Sequence, residues 1–373
     1  MKKFIRNHFN TLLIVGTFII ILGIGIGNNE LSNVWRALGR LSFPWLALCA
    51  GVFTLHLGLD ALTLHYLLRR WQHPITLRYA LYVALMGLYY ADVTPGISGG
   101  QPMQVYYLKK RDVPIGVSSS ALTVKFFCSQ LMLLVLGGLA WILNRGFVAE
   151  QLATNLWILV TGYVFNSLSV ILVLLMAINK HMVRFLIALS IRIGHKLHIC
   201  KDVERSTVKW EAILSSFHAS VTLVFKRPGE LLVLLLTSGF QVLALMLITV
   251  CLYFAFGLTG TRVELLVTIA TLLFISAAYT PLPGGSGVQE VGFILYYKGI
   301  FPADTIFSAL LTWRFFTFYA NLIGGASATI FYGAFERYRE KRKAGAPIQM
   351  PGHVVEKEAA PLKKEADSAH RQK

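Results

Sequence analysis

Long apolar blocks separated by short basic stretches organise this chain. A run of about 20 apolar residues is enough to cross a bilayer. Six such runs occur, near 9–27, 44–68, 117–143, 156–178, 230–256 and 303–333. Two further apolar segments, 79–93 and 262–279, stop short. Each meets a glycine- and proline-rich stretch and resumes as a half-helix before polar residues return. The pattern predicts an all-α polytopic membrane protein with about six full spans and two re-entrant broken-helix hairpins.

The two interruptions resemble each other. One reads Thr94-Pro95-Gly96-Ile97-Ser98-Gly99-Gly100-Gln101-Pro102, the other Thr280-Pro281-Leu282-Pro283-Gly284-Gly285-Ser286-Gly287-Val288-Gln289-Glu290. Downstream, Tyr106-Tyr107 answers Tyr296-Tyr297, Lys125-Phe126-Phe127 answers Arg314-Phe315-Phe316, and Gly137-Gly138 answers Gly324-Gly325. Duplicated helix breaks inside apolar sequence are the pattern of a transporter built from two repeats, here about 44–143 and 230–333. Bare backbone at membrane depth is tolerated only when buried in protein or facing a wet cavity, so the glycine tips are expected to meet inside the protein.

Composition fits an integral membrane protein. The chain of 373 residues is 55% hydrophobic and 14% charged, with mean hydropathy +0.60, whereas soluble domains carry about a quarter charged residues. The net charge of +17 would suggest nucleic acid on a soluble protein. Here the cations lie between apolar spans, and the positive-inside rule accounts for them without a nucleic-acid partner.

That rule also orients the hairpins. Arg69, Arg70, Arg78, Lys109, Lys110, Arg111, the 180–227 stretch and the tail from Arg337 are placed inside; Arg36, Arg40, Arg145, Arg262 and Lys298 are outside. The asymmetry requires segment 79–108 to enter and leave on the cytoplasmic side and 262–298 on the outer side, an inverted repeat with both termini cytoplasmic at the plasma membrane. If both segments crossed fully, Lys109-Lys110-Arg111 would lie outside. Leu31, Val34, Trp35, Leu38 and Leu41 fall on one helical face, a pattern suited to a surface helix over 28–43. Segment 180–228 carries nine Lys/Arg and three Asp/Glu, which suits either helices lying on an anionic membrane surface or an ordinary cytoplasmic loop. The membrane domain is placed at 1–340 and a disordered charged tail at 341–373.

Lys125 and Arg314 are the leading candidates for chemistry. At 1.5 Å per residue they lie about 12 Å and about 16 Å into their spans, from opposite sides of the membrane. Charges at that depth are costly and usually face a partner or a water-filled path. Arg binds a phosphate bidentately and Lys as a point charge, so the pair suits an anionic head group. The competing readings of Lys125 are snorkelling toward the cytoplasm or pairing with Asp92, and Glu290 is a candidate either to hold a proton or cation or to neutralise Arg314. Ser98, Gly99, Gly100 and Gln101 in the first loop, and Gly284, Gly285, Ser286 and Gln289 in the second, are candidates to present backbone amides to the same anion; the competing reading of each loop is a turn that only reverses a hairpin. His56 and Asp60 share a helical face; internal hydrogen bonding is the expected role, with a ligand or proton-relay role as the alternative, since a metal would need more ligands nearby. Cys49, Cys128, Cys200 and Cys251 have no metal or redox spacing. No cofactor is implied, and no nucleophile motif or Walker loop stands out.

These loops, above all Tyr279-Thr-Pro-Leu-Pro-Gly-Gly-Ser-Gly-Val-Gln-Glu290, resemble the transmembrane region of lysylphosphatidylglycerol synthase, the flippase-like domain family, over roughly residues 5–340. In full synthases of that family a membrane half moves aminoacylated lipid across the bilayer, and a cytoplasmic half transfers lysine from lysyl-tRNA to phosphatidylglycerol. After Phe335 this chain has only a short charged tail, so the resemblance favours lipid movement over transferase chemistry. It implies an anionic phospholipid or polyprenyl-linked lipid as partner, with a homo-oligomer or a separate synthase as further partners. The alternatives are a phosphatidylglycerol lysyltransferase, alone or with a partner, and a small-anion transporter using Asp92 and Glu290.

Overall fold

Ser42 in extended backbone, followed by Pro44 in the first turn, starts the long helix α1 (Phe43–Arg70). Proline suits that position because its missing N–H would have no intrahelical partner there. Arg69 and Arg70 close the helix, where cations meet the negative end of its dipole. The computed structural model describes residues 38–39, 41–153, 156–179, 221–224, 226–277 and 282–343. The first expected span, most of the 28–43 surface helix, most of the 180–228 segment, residues 278–281 of the second loop and the tail from 344 lie outside the described residues.

After α1 come α2 (Leu77–Val93), a short turn at Pro95–Ile97, α3 (Gly100–Lys109) and α4 (Ile115–Leu143). Thr76 caps α2 by accepting from the Tyr79 N–H at 3.3 Å. Thr94, which ends α2, is extended (φ −112°, ψ 144°), as a residue preceding proline prefers. The helices α5 (Arg145–Gln151) and α6 (Leu156–Ile178) follow. The same order then recurs: α7 (Pro228–Ala255), α8 (Val263–Ala277), a turn at Pro283–Gly285, α9 (Val288–Tyr296) and α10 (Ile306–Arg314), which continues through a π-helical turn at Phe315–Tyr319 into α11 (Ala320–Lys343). Residues up to Ala328 form one compact unit; the described part of the second, from Thr329, is the end of α11.

Among the described residues, five helical stretches are long and apolar enough to cross a membrane: Phe43–Arg70, Ile115–Leu143, Leu156–Leu175, Pro228–Ala255 and Ile306–Tyr332. The arms α2, α3, α8 and α9 are shorter. The first pair is antiparallel: Tyr79 Oη donates to the Tyr107 carbonyl at 2.6 Å, Gln104 Nε2 to the Val83 carbonyl at 3.3 Å, and Gly100 lies against the Gly87 carbonyl. In the second pair Gly292 of α9 packs on Leu273 of α8, and the Ser276 and Tyr296 hydroxyls share a bond at 2.7 Å.

Contacts at the helix ends show where each hairpin opens. Arg70, at the end of α1, donates to Glu230 at the start of α7 at 2.7 Å, and Arg111 stacks on Tyr79. The open end of the α2–α3 hairpin therefore shares an end of the molecule with the close of α1. The Ser42 N–H donates to the Ala255 carbonyl at 2.9 Å, so α1 begins where α7 ends. Asn144, closing α4, donates to Thr268 at 3.0 Å, and Gln151 to the carbonyls of Tyr296 and Lys298. The α8–α9 hairpin therefore opens beside the end of α4. The two short turns touch each other between these ends.

Packing between the halves is crossed. Gly137 of α4 lies against Ile275 and Thr271 of α8, and Gly324 and Gly325 lie against Leu85 and Tyr89 of α2. A Cβ at Gly137 or Gly325 would collide with those neighbours, so the glycine pairs permit a close helix approach that larger residues forbid. The buried aromatic core sits largely in the second half, where Phe293 packs with Tyr297, Phe301 and Trp313.

Candidate functional site

Both turns carry two consecutive residues in left-handed backbone: Gly96 and Ile97 (φ 61° and 58°), and Gly284 and Gly285 (φ 57° and 67°). Glycine adopts this conformation freely, whereas a β-branched residue is strained there. Thr94 fixes the first turn, donating to the Tyr90 carbonyl at 2.6 Å and accepting from the Gly99 N–H at 2.8 Å. Ser98 Oγ donates to the Pro95 carbonyl at 2.8 Å.

The second turn is closed on Arg314. The guanidinium donates through Nε to Glu290 Oε1 at 2.6 Å, through Nη1 to Gln289 Oε1 at 2.6 Å, through Nη2 to Ser286 Oγ at 3.2 Å, and through both Nη atoms to the Gly284 carbonyl at 3.3 Å. The guanidinium also faces two rings, Phe318 at 4.8 Å and Trp313 at 5.9 Å from their centres. Glu290 Oε2 accepts from the Gly287 N–H at 2.6 Å. Arg314 is 2% exposed, and every nitrogen of the guanidinium has a partner within the protein. Glu290 is thus its counter-ion, and Gly284, Ser286 and Gln289 face Arg314; Gly285 is buried in the same turn.

The first turn is open. Pro95 through Ser98 and Gln101 are exposed. Beside them a cavity of about 650 Å³ is lined by Gly96, Ile97, Ser98, Gly100 and Gln101 of the turn and α3, by Gln104, and by Asp60, Lys125 and Gln130 from α1 and α4. Gly99 lies behind the lining, against Thr94. Gly100 and Gln101 occupy the first turn of α3, where backbone N–H groups have no intrahelical acceptor; Pro102, next in line, has none to offer.

Lys125 Nζ donates to Asp60 Oδ2 at 2.7 Å, and the two side chains are 9% and 12% exposed. This corrects the expectation that Asp92 serves Lys125. Asp92 instead accepts from Asn321 at 3.0 Å, joining α2 to α11. Ten residues separate Asp60 from the end of α1 at Arg70, and ten separate Lys125 from the start of α4 at Ile115, which sets both about 15 Å from their helix ends. Gln241 of α7 donates to Asp60 Oδ1 at 2.9 Å, and its carbonyl accepts from His56 Nδ1 at 3.0 Å. A carbonyl can only accept, so the His56 proton sits on Nδ1. The expected cationic pocket shared by the two loops is also corrected. Among the described residues, neither Arg314 nor any residue of the second loop lines the cavity at Lys125, because the Ser286, Gln289 and Glu290 side chains are turned onto Arg314.

Two residues central to this site carried little signal beforehand. Asp60 stood out only as an acid one turn from His56, and Gln241 not at all; each is identified by its partner on another helix.

The model of the lysylphosphatidylglycerol synthase TM region matches residues 11–325. The chain belongs to this family. Among curated proteins, it is 22% identical to a UPF0104 membrane protein of Archaeoglobus fulgidus over 319 residues, 83% of this chain and 92% of that one. No solved structure matches it. As a member of the lysylphosphatidylglycerol synthase TM-region family with five candidate spans among the described residues, it is a multi-pass membrane protein.

Proposed function

We propose that this protein is a lipid translocase that binds an anionic phospholipid or lipid-linked head group in the cavity of the first hairpin. The observation that carries this reading is the buried Lys125 ammonium at the wall of an open cavity whose rim is the Gly96–Gln101 turn. Lys125 supplies the charge, the first-turn amides of α3 and the Gln101 and Gln130 amide groups supply hydrogen bonds, and the acyl tails remain in the bilayer. Recurrence of the element order, contact between the two turns and hairpins opening at opposite ends support an inverted repeat with re-entrant arms. Such repeats rock against each other around a central site. The basic helix ends at Arg69, Arg70, Lys109, Lys110, Arg111, Lys226 and Arg227 support a cytoplasmic orientation for that end, with both termini cytoplasmic in the plasma membrane.

The test is transfer of head-labelled phosphatidylglycerol between leaflets of reconstituted vesicles. Lys125→Gln is expected to reduce transfer at least tenfold, and wild-type rates in that variant would refute the assignment. Uptake of a soluble phosphate ester, with no lipid transfer, would favour a small-anion transporter instead.

A further inference from the structure

The Lys125–Asp60 pair presents a difficulty for an anion. The ammonium that should receive it is already neutralised, and the carboxylate oxygen lies 2.7 Å from the same nitrogen. A phosphate arriving at Lys125 would sit beside a second anion in a poorly solvated wall, and two acidic groups so placed do not both remain ionised. Asp60 and Lys125 are the charged residues among those lining the cavity, so the cavity carries no net charge while the pair is intact.

We infer that Asp60 is a proton-binding site and that the cavity takes up one proton together with one anion. This rests on the cavity being the head-group site. A proton from water adds to Asp60 Oδ2, the carboxylate becomes a neutral acid, and Lys125 is left as an unopposed cation facing the anion. When the anion leaves, the proton returns to water and the pair re-forms. Gln241 donates to Oδ1, the oxygen that does not take the proton, and so is placed to hold the carboxyl group. A mobile charge pair is thereby converted into a linkage: by reciprocity, whatever favours the proton favours the anion by the same factor.

The surroundings of Asp60 single it out. On α1 the neighbouring titratable group is His56, whose Nδ1 proton is committed to the Gln241 carbonyl. From α7 the facing group is the uncharged Gln241, and from α4 it is Lys125. The residues that α2 and α3 contribute to the cavity are uncharged. Asp92, one place beyond the lining residue Ala91, is held by Asn321. The π-helical turn packed on α1 carries Tyr319, which lies within the field of Arg314 and Glu290. Asp60 is thus the acid in direct contact with the cation expected to bind the ligand.

The experiment titrates short-chain phosphatidylglycerol onto the detergent-solubilised full chain between pH 5.5 and 8.5, with proton exchange followed by an indicator dye in weak buffer. Wild type is expected to take up as much as one proton per lipid bound, and its affinity to fall by up to tenfold per pH unit. Asp60→Asn, a neutral isostere, is expected to bind at the low-pH strength of wild type across the range and to take up no proton. Lipid binding by wild type without proton uptake, or an Asp60→Asn variant keeping the wild-type pH slope, would overturn the inference. The dye measurement needs no variant and stands even if Asp60→Asn folds poorly. Binding that is lost in Lys125→Gln but independent of pH in wild type would reject the proton and keep the head-group site. Binding indifferent to Lys125 would reject both.

Discussion

Arg314 and Glu290 are joined at 2.6 Å within one half of the molecule, while Lys125, the matching cation of the other half, reaches across to Asp60 on α1. The difference follows from one residue. Where the second loop places Glu290 after Gln289, the first places Pro102 after Gln101. Without a carboxylate of its own, the first loop cannot close on its cation, and it remains open beside the cavity.

Removing Arg314 should therefore act on the fold. Arg314→Ala leaves Glu290 buried and unpaired, a change that costs about 3–5 kcal/mol. A marked fall in the melting temperature of the detergent-solubilised protein is expected. Unchanged melting would show that the second loop holds without its cation.

The Lys125–Asp60 pair should separate stability from transport. Lys125→Met alone strands a buried carboxylate and should destabilise by about 3–5 kcal/mol; Lys125→Met with Asp60→Leu should recover most of that loss, because apolar residues often replace a buried ion pair without cost. Lipid transfer should stay absent in both. Recovery of transfer in the double variant would remove Lys125 from the mechanism.

The glycine seams give a paired comparison. Gly325→Ala pushes a methyl group into the base of the Tyr89 side chain, while a Cβ at Gly138 meets nothing within 4 Å. The first should destabilise by about 1–3 kcal/mol through overpacking, and Gly138→Ala should be neutral or slightly stabilising, as alanine favours helix. Thermal unfolding of the two variants side by side checks this.

Ile97 and Gly285 occupy matching left-handed positions. Gly285→Ala should cost about 1–2 kcal/mol, with a further contribution from crowding against Gln289. Ile97→Gly should release strain and leave stability unchanged or higher. A substantial loss of stability in Ile97→Gly would mean that the Ile97 side chain makes a contact worth more than its backbone costs.

Much of this architecture is legible in the sequence because membrane spans and helix breaks are local signals. The apolar runs at 44–68, 117–143, 156–178 and 230–256 correspond to α1, α4, α6 and α7 within a few residues. The Thr-Pro and Pro-Gly steps mark the turns because proline forbids helix before it and glycine permits the left-handed residues after it. The paired glycines were legible as part of the repeat, but the packing of Gly137 on α8 was not. The partner of Lys125 was not legible, since it depends on how α1 and α4 are rotated about their axes, and Asp92 lies nearer to Lys125 in the chain than Asp60 does. The unequal fates of the two loops were hidden for a related reason. Ser98 with Gln101 and Ser286 with Gln289 read alike as polar groups, and only the guanidinium of Arg314 shows which set is already occupied.

The crossed seams have a mechanical consequence. Because α11 rests on α2 through Gly325 and Tyr89, and α4 rests on α8 through Gly137 and Ile275, each half grips the arm that the other would have to swing. Tilting the first hairpin outward drags α11 along, and with it the Arg314 clasp that continues into the same helix. Under the proposed translocation, whatever moves one hairpin must therefore load the other, so that opening toward one leaflet would be tied to closure toward its opposite.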